Sequence, residues 1–148
     1  MDFPVDFLSQ IDSLLKEEKT TLLQSLKSEV PVSIRLNPAK ISQKLNFEQV
    51  KWSETGYYLN ERPAYTFDPL FHAGCYYPQE ASSMFIEQVF KQYVGDGVRV
   101  LDLCAAPGGK STHILSLLEE NSLLVSNEVI RLRANILSEN VIKGGYPN

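Results

Sequence analysis

A run of small residues, Ala105-Ala106-Pro107-Gly108-Gly109, separates an apolar stretch ending at Cys104 from a lysine, Lys110. A turn of this type, placed between a strand and a helix, presents backbone N–H groups that can hold a phosphate or a carboxylate, and the helix N-terminus adds partial positive charge. The glycines let a ligand come close to the backbone. Glu128 follows 19 residues after Gly109. In doubly wound nucleotide-binding folds an acid about 20 residues beyond the turn accepts hydrogen bonds from ribose hydroxyls. Alone, Glu128 reads as a solvated strand-end acid. Paired with the turn, it points to a ligand with an adenosine at one end and an anionic group at the other.

These residues need particular elements to hold them. VRVLDLC (98–104) is a near-continuous apolar run, as expected of a parallel strand buried on both faces. KSTHILSLLEE then predicts a helix with Ile114, Leu117 and Leu118 inward, and SLLVSNE (122–128) a second buried strand. VIRLRANILSENVIKGG predicts another helix, with Ile130, Ala134, Leu137 and Val141 on one stripe and Gly144-Gly145 and Pro147 ending it. The order β-α-β-α with short connections is the start of a doubly wound sheet, and it puts the turn and Glu128 at adjacent strand ends.

Upstream, Phe7, Leu8, Ile11, Leu14 and Leu15 recur at helical spacing, and Leu22, Leu23 and Leu26 repeat the pattern after Lys16-Glu17-Glu18-Lys19. Val32, Ile34 and Leu36 alternate with Ser33, Arg35 and Asn37 between Pro31 and Pro38, the period of a half-buried strand. Residues 40–78 are rich in aromatics and turn formers and predict short strands and loops. From Gln79 a helix is expected, with Pro78 at its start and Met84 or Phe85, Gln88 or Val89, and Tyr93 on one face. Gly95-Asp96-Gly97 stops it.

Composition narrows the field. The chain has 148 residues, 43% hydrophobic and 22% charged, with 2 cysteines. That argues against disorder and against a disulfide framework, and it fits a reducing, cytoplasmic setting. No apolar run approaches the roughly 20 residues that span a bilayer, so no membrane is expected as a partner. The N-terminus has no long apolar core of a secretory signal. Net charge is −4; residues 1–97 hold 9 Lys+Arg against 13 Asp+Glu, and the remainder 5 against 5. Neither part is basic, so composition alone gives no electrostatic footprint for nucleic acid.

Three ligands compete for the turn. The dinucleotide spacing G-x-G-x-x-G is absent. Cys104–Ser111 reads C-A-A-P-G-G-K-S, which departs from the phosphate-binding P-loop only at its first glycine, leaving a degenerate nucleotide-binding loop as one reading. S-adenosyl-L-methionine, with a carboxylate and a ribose, suits both the turn and Glu128. A non-catalytic RNA-binding module is a further alternative, which the acidic composition disfavours.

VLDLCAAPGGKSTHI resembles the first motif of the Sun-family (nucleolar-protein/Sun) RNA cytosine-5 methyltransferases almost letter for letter. PVSIRLNPAK is similar to that family's upstream segment. HAGCYYPQEASSM is similar to its stretch before the catalytic fold, and VSNEVIRLRANILSENVIKGG resembles its second motif, with Glu128, Arg133 and Asn140 at the matching positions. The resemblance is strongest to bacterial members that modify ribosomal RNA, and it covers roughly residues 30–148. It implies an α/β chain: an N-terminal α+β accessory segment (1–97) followed by the first part of a Rossmann-like methyltransferase domain (98–148), incomplete. It implies S-adenosyl-L-methionine as cofactor. Cys104, Ala105, Ala106, Pro107, Gly108, Gly109 and Lys110 would line its methionine end, Glu128 would hold the ribose, and Asp102 would shape the pocket. It also implies ribosomal or transfer RNA as the partner of the full-length protein.

In the family the nucleophilic cysteine lies on later strands, past the second motif. Cys75 and Cys104 are the only cysteines here, so no catalytic residue is assigned within this chain, and no turnover is expected of it alone. An open sheet edge would favour self-association. His72, Cys75, Cys104 and His113 match no zinc spacing, and no metal is assigned. Arg35 and Asn37 either contact RNA or brace the cofactor domain. Tyr57, Tyr58, Tyr65, Tyr76 and Tyr77 either stack on bases or pack the core.

Overall fold

The computed structural model describes residues 3–147. It divides into two compact units, Met1–Pro31 and Val32–Asn148. The first unit is a pair of helices, α1 (Val5–Leu15) and α2 (Lys19–Lys27), joined by a 3-10 turn at Lys16–Glu18. Ile11 is buried on the expected stripe, whereas Leu14 on the same stripe is exposed.

The second unit contains two sheets. The first is antiparallel, in the order β2-β1-β3, with β1 at Val32–Leu36, β2 at Gly56–Leu59 and β3 at Tyr76–Pro78. Ile34 pairs with Tyr57 on one side and with Pro78 on the other. Ile34, Leu36, Tyr57 and Tyr76 form its core cluster, so Tyr57 and Tyr76 are packing residues rather than a surface for bases. A short helix that the turn-rich composition of 40–78 concealed, α3 (Pro69–His72), precedes β3. Asp68 caps it by accepting the Leu70 N–H at 2.9 Å, and Pro69 opens it.

β1 departs from the half-buried strand its alternation predicts. Ser33, Arg35 and Asn37 are as buried as the apolar residues between them. Each polar side chain is hydrogen-bonded, which is what lets it leave water. The Ser33 hydroxyl donates to the Gln79 carbonyl at 2.6 Å. Asn37 Nδ2 donates to the carbonyls of Gly74 (3.0 Å) and Gly144 (2.8 Å), and its Oδ1 accepts the Tyr146 hydroxyl at 2.6 Å. Lys40 Nζ reaches the carbonyls of Ala73 and Lys143.

The helix expected from Gln79 begins later. Pro78 still belongs to β3, and the Gln79 N–H donates to the Ser33 carbonyl at 3.2 Å, which keeps this residue extended. A 3-10 turn at Ala81–Phe85 leads into α4 (Ile86–Tyr93). The inward face is Ala81, Met84 and Glu87; Val89 is 44% exposed and Tyr93 74%, which corrects the apolar stripe the sequence suggests. The physical reason is Glu87, a carboxylate that finds partners inside.

The second sheet is parallel: β4 (Arg99–Asp102) beside β5 (Leu123–Ser126), in register from Arg99 with Leu123 to Asp102 with Ser126. α5 (Gly109–Leu115) connects them and α6 (Arg131–Gly144) follows β5. This is the expected β-α-β-α order, with α5 shorter than its apolar pattern suggested. Gly145, in the left-handed conformation at φ 76°, ends α6 as its glycines predicted. The strands are not covered on both faces: Leu101, Leu103, Leu123 and Val125 are exposed. Among the described residues, no element covers that side.

Candidate functional site

The loop between β4 and α5 is built from the strand outward. Asp102, the last residue of β4, turns its carboxylate back on the loop. Oδ1 accepts the Cys104 N–H at 3.2 Å and Oδ2 accepts the Ser111 hydroxyl at 2.8 Å. Asn127, just past β5, closes the other side: its backbone carbonyl accepts the Ala105 N–H at 3.0 Å, and its Nδ2 donates to the Leu103 carbonyl at 3.0 Å. α6 holds the middle of the loop through Arg133 Nη2 on the Ala106 carbonyl and Asn140 Nδ2 on the Pro107 carbonyl, each at 2.8 Å. The Ala106–Pro107 peptide is cis.

The glycines are required by packing as much as by any ligand. Gly108 has φ 111°, and a Cβ there would sit 3.3 Å from Leu137 Cδ1 and 3.4 Å from Asn140 Cβ. They seat α5 against α6 and against the antiparallel sheet.

A cleft of about 180 Å³ runs between this loop and the end of β3 with the residues that follow it. Cys104, Ala105, Ala106, Pro107, Gly109 and Lys110 form one wall; Tyr77, Pro78, Gln79, Glu80 and Ser83 form the other. Of the residues expected at the cofactor from the sequence, Asp102, Gly108 and Glu128 do not line it. Gly108 is buried behind the loop. Glu128 sits across the strand ends, where its Oε1 accepts the Ile130 N–H at 2.9 Å and its Oε2 pairs with Arg133 Nη1 at 3.3 Å. Because Arg133 also holds the Ala106 carbonyl, Glu128 is tied to the loop through one side chain. In the sequence the second wall is legible only as part of the HAGCYYPQEASSM stretch and, at Tyr77, as an aromatic; no spacing rule places it opposite the loop.

Arg35 links the antiparallel sheet to the site and is 2% exposed, so it braces rather than offering a surface to RNA. Its Nε donates to Gln79 Oε1 at 2.8 Å, and its Nη2 donates to Thr112 Oγ1 at 2.7 Å and approaches the Gly109 carbonyl at 3.5 Å. Burial lowers its pKa to about 10, partly opposed by Tyr146, Tyr77 and Glu87. Beneath α5, His113 and Glu87 are buried together, with Nε2 and Oε2 3.2 Å apart. Glu87 Oε1 also accepts Lys91 Nζ at 2.7 Å and the Glu54 N–H at 3.1 Å. Burial pushes the Glu87 carboxyl up, but the bonds from His113, Lys91 and the Glu54 backbone outweigh it and hold the pKa at about 2. Burial keeps His113 below its ordinary value, although Glu87 opposes this. Nothing in the local sequence announces this pair. Among the described residues, no group of three or more His, Cys, Asp or Glu is placed to hold a metal ion.

A glycine loop at the carboxyl ends of parallel strands, with a cleft above it, defines an α/β protein whose candidate site lies at the strand ends. Comparison with known proteins narrows the class. The family profile described as the N-terminal domain of 16S rRNA methyltransferase RsmF matches residues 3–81, and that of 16S rRNA methyltransferase RsmB/F matches residues 93–147. The chain belongs to this family of 16S rRNA methyltransferases. It is 32% identical to Ribosomal RNA small subunit methyltransferase F of Vibrio atlanticus, over 98% of this chain and 34% of that protein. It is 37% identical to the Aeromonas salmonicida protein of the same name, over 78% of this chain and 28% of that one. The chain thus spans about a third of the length of these relatives.

Among solved structures, a methyltransferase homologue from Pyrococcus horikoshii superposes with a TM-score of 0.82 at 25% identity, over 99% of this chain and 51% of that one. NSun6 from the same organism, solved with SFG, gives 0.77 at 18% identity, over 99% and 64%, and shows a shared fold. No helix among the described residues is long and apolar enough to cross a membrane.

Proposed function

We propose that the whole protein is an S-adenosyl-L-methionine-dependent RNA cytosine-5 methyltransferase acting on ribosomal RNA in the cytoplasm. This chain would supply its accessory segment (1–97) and the opening, cofactor-holding part of its catalytic fold (98–148). The observation that carries the reading is the cleft between Cys104–Lys110 and Tyr77–Glu80, in a chain of this family. The donors there suit an amino-acid headgroup. Lys110 brings an ammonium that makes no ion pair among the described residues, and Gln79 brings an amide N–H that has no partner among them. SFG, present in the NSun6 structure, is an analogue of the proposed cofactor.

Lys110, Gly109 and the Cys104–Pro107 backbone would hold the methionine end, and Glu128 would accept from the ribose hydroxyls. A carboxylate has about four acceptor positions, so the bonds Glu128 already makes leave capacity for this. When bound, the cofactor supplies an electrophilic methyl group. The chain's own contribution is to bind and orient it: Asp102 and Asn127 fix the loop, and Arg133 and Asn140 fix its carbonyls. Cys104 is a loop residue in this scheme, and the attacking thiol is not assigned to this chain.

Isothermal titration of the intact protein tests the reading. Saturable binding of S-adenosylhomocysteine, with no binding of ATP and magnesium, is expected. Preference for ATP with magnesium would instead favour a degenerate P-loop and overturn it.

A further inference from the structure

Gln79 lies where β3 gives way to the 3-10 turn, and its backbone is committed to β1 on both sides: the N–H to the Ser33 carbonyl, the carbonyl to the Ser33 hydroxyl. The residue lines the cleft, yet it is only 6% exposed. Its side-chain amide has a fixed orientation. Arg35 Nε donates to Oε1 at 2.8 Å, and a guanidinium has no acceptor, so the oxygen must face Arg35 and the NH2 must face away. That NH2 has no hydrogen-bond partner among the described residues. Buried donors without acceptors are rare in folded proteins, and those that persist call for an explanation.

The group that orients the amide indicates what kind of acceptor is missing. Gln79 Oε1, Thr112 Oγ1 and the Gly109 carbonyl, the hydrogen-bond partners of the Arg35 guanidinium, are all neutral. A buried positive charge with no carboxylate in contact polarises the amide that accepts from it, making the N–H a stronger donor. Lys110 stands on the opposite wall of the same cleft. An orphan donor, a buried cation behind it and a second cation across from it together favour an anion.

We infer that Gln79 Nε2 donates a hydrogen bond to the carboxylate at the amino-acid end of the cofactor, with Arg35 as the positioning residue that holds the amide for it. This rests on the reading that the cleft takes S-adenosyl-L-methionine. The adenosine end has no part in the contact.

The test compares two ligands that share adenosine and a thioether and differ in the amino-acid end: S-adenosylhomocysteine and 5′-methylthioadenosine. Both are titrated calorimetrically into the intact wild-type protein and into Gln79→Glu, Gln79→Met and Arg35→Lys variants, each checked by thermal melting. Gln79→Glu keeps an acceptor for Arg35 Nε, so the fold is held while the donor is lost and a like charge is introduced. S-adenosylhomocysteine is expected to weaken about tenfold or more, the value of one charge-assisted bond, with 5′-methylthioadenosine unchanged. Gln79→Met gives the same selective loss without the added charge, and Arg35→Lys gives a smaller selective loss by freeing the amide. Unchanged S-adenosylhomocysteine affinity in both Gln79 variants overturns the inference and leaves the cofactor reading standing. Equal loss for both ligands also overturns it, assigning Gln79 to structure. If the wild type binds neither ligand, the cofactor reading fails and the inference falls with it.

Discussion

Replacing Glu87 with glutamine keeps the shape of the side chain and removes its charge from a place where three donors converge. In the native protein His113 Nε2 lies 3.2 Å from Oε2, and Lys91 Nζ and the Glu54 N–H lie 2.7 and 3.1 Å from Oε1. Glutamine retains one acceptor oxygen for Lys91 and Glu54. Its NH2 then faces His113 Nε2, which must become an acceptor and move its proton to Nδ1, a buried atom without a partner. Holding the native carboxyl at about 2 rather than 4.5 sets a ceiling of about 3 kcal/mol on what the charge contributes. Part of each bond survives in the variant, so we expect a loss of about 2 kcal/mol at neutral pH. For a unit of this size that is a fall of about 8 °C in Tm.

The sign with pH follows from linkage. A carboxyl with a depressed native pKa stabilises the fold above about 4.5, and that stabilisation is lost as the pH falls towards 2. The gap between wild type and Glu87→Gln should therefore be full at pH 7 and shrink between pH 4.5 and the acid limit of folding. His113, lowered by burial, destabilises both proteins as the pH drops through the ordinary histidine range, and the variant more, because it lacks the Glu87 carboxylate that opposes this lowering; the Glu87 effect is therefore read below that range. Melting curves by circular dichroism across that range are the assay. Equal Tm values at pH 7, or a gap that widens below pH 4.5, would refute the account of Glu87 as a buried, ionised hub.

Two further outcomes are expected. Gly74, at φ 69°, faces the Lys143 carbonyl so closely that an added Cβ would collide with backbone, whereas Gly95 has nothing within 4 Å of that position. Gly74→Ala should cost about 3 kcal/mol and Gly95→Ala less than about 0.5 kcal/mol in denaturant melts; similar values would contradict the packing described. Cys104 is exposed and Cys75 half-buried, so an aromatic disulfide reagent should modify one thiol quickly and the other slowly. S-adenosylhomocysteine should suppress the fast phase, and absence of protection would count against the cleft as the cofactor site.

What could be read from the sequence was what is local in it. The strand–turn–helix around Cys104–Lys110 announces itself because an apolar run, two glycines and an amphipathic segment are contiguous. β1 shows through its alternation between two prolines. The burial of Arg35 and Asn37 is not legible there because their distant partners lie 37 to 109 residues away, beyond any periodicity. The face expected from Gln79 onward holds at Met84 and fails at Val89 and Tyr93 for a related reason: both are apolar enough to suggest a core, but Glu87 is turned inward by a histidine 26 residues on. One wall of the site was legible as chemistry. The other, Tyr77–Glu80, could be recognised only as a stretch of residues, since its place opposite the loop is set by the pairing of β3 with β1.

The bonds of Asn37 also bear on the order in which the protein can form. Its Nδ2 is answered by the Gly144 carbonyl, 107 residues further along the chain. At about 5–20 residues per second, a ribosome needs roughly 5–20 s to make that partner after it has added Asn37. Until then the residue after β1 carries a polar side chain bound for the interior that has the Gly74 carbonyl within reach but still lacks its second acceptor. Closing so long a loop is slow, which favours late, concerted assembly of the sheet with α6 over stepwise growth from the N-terminus.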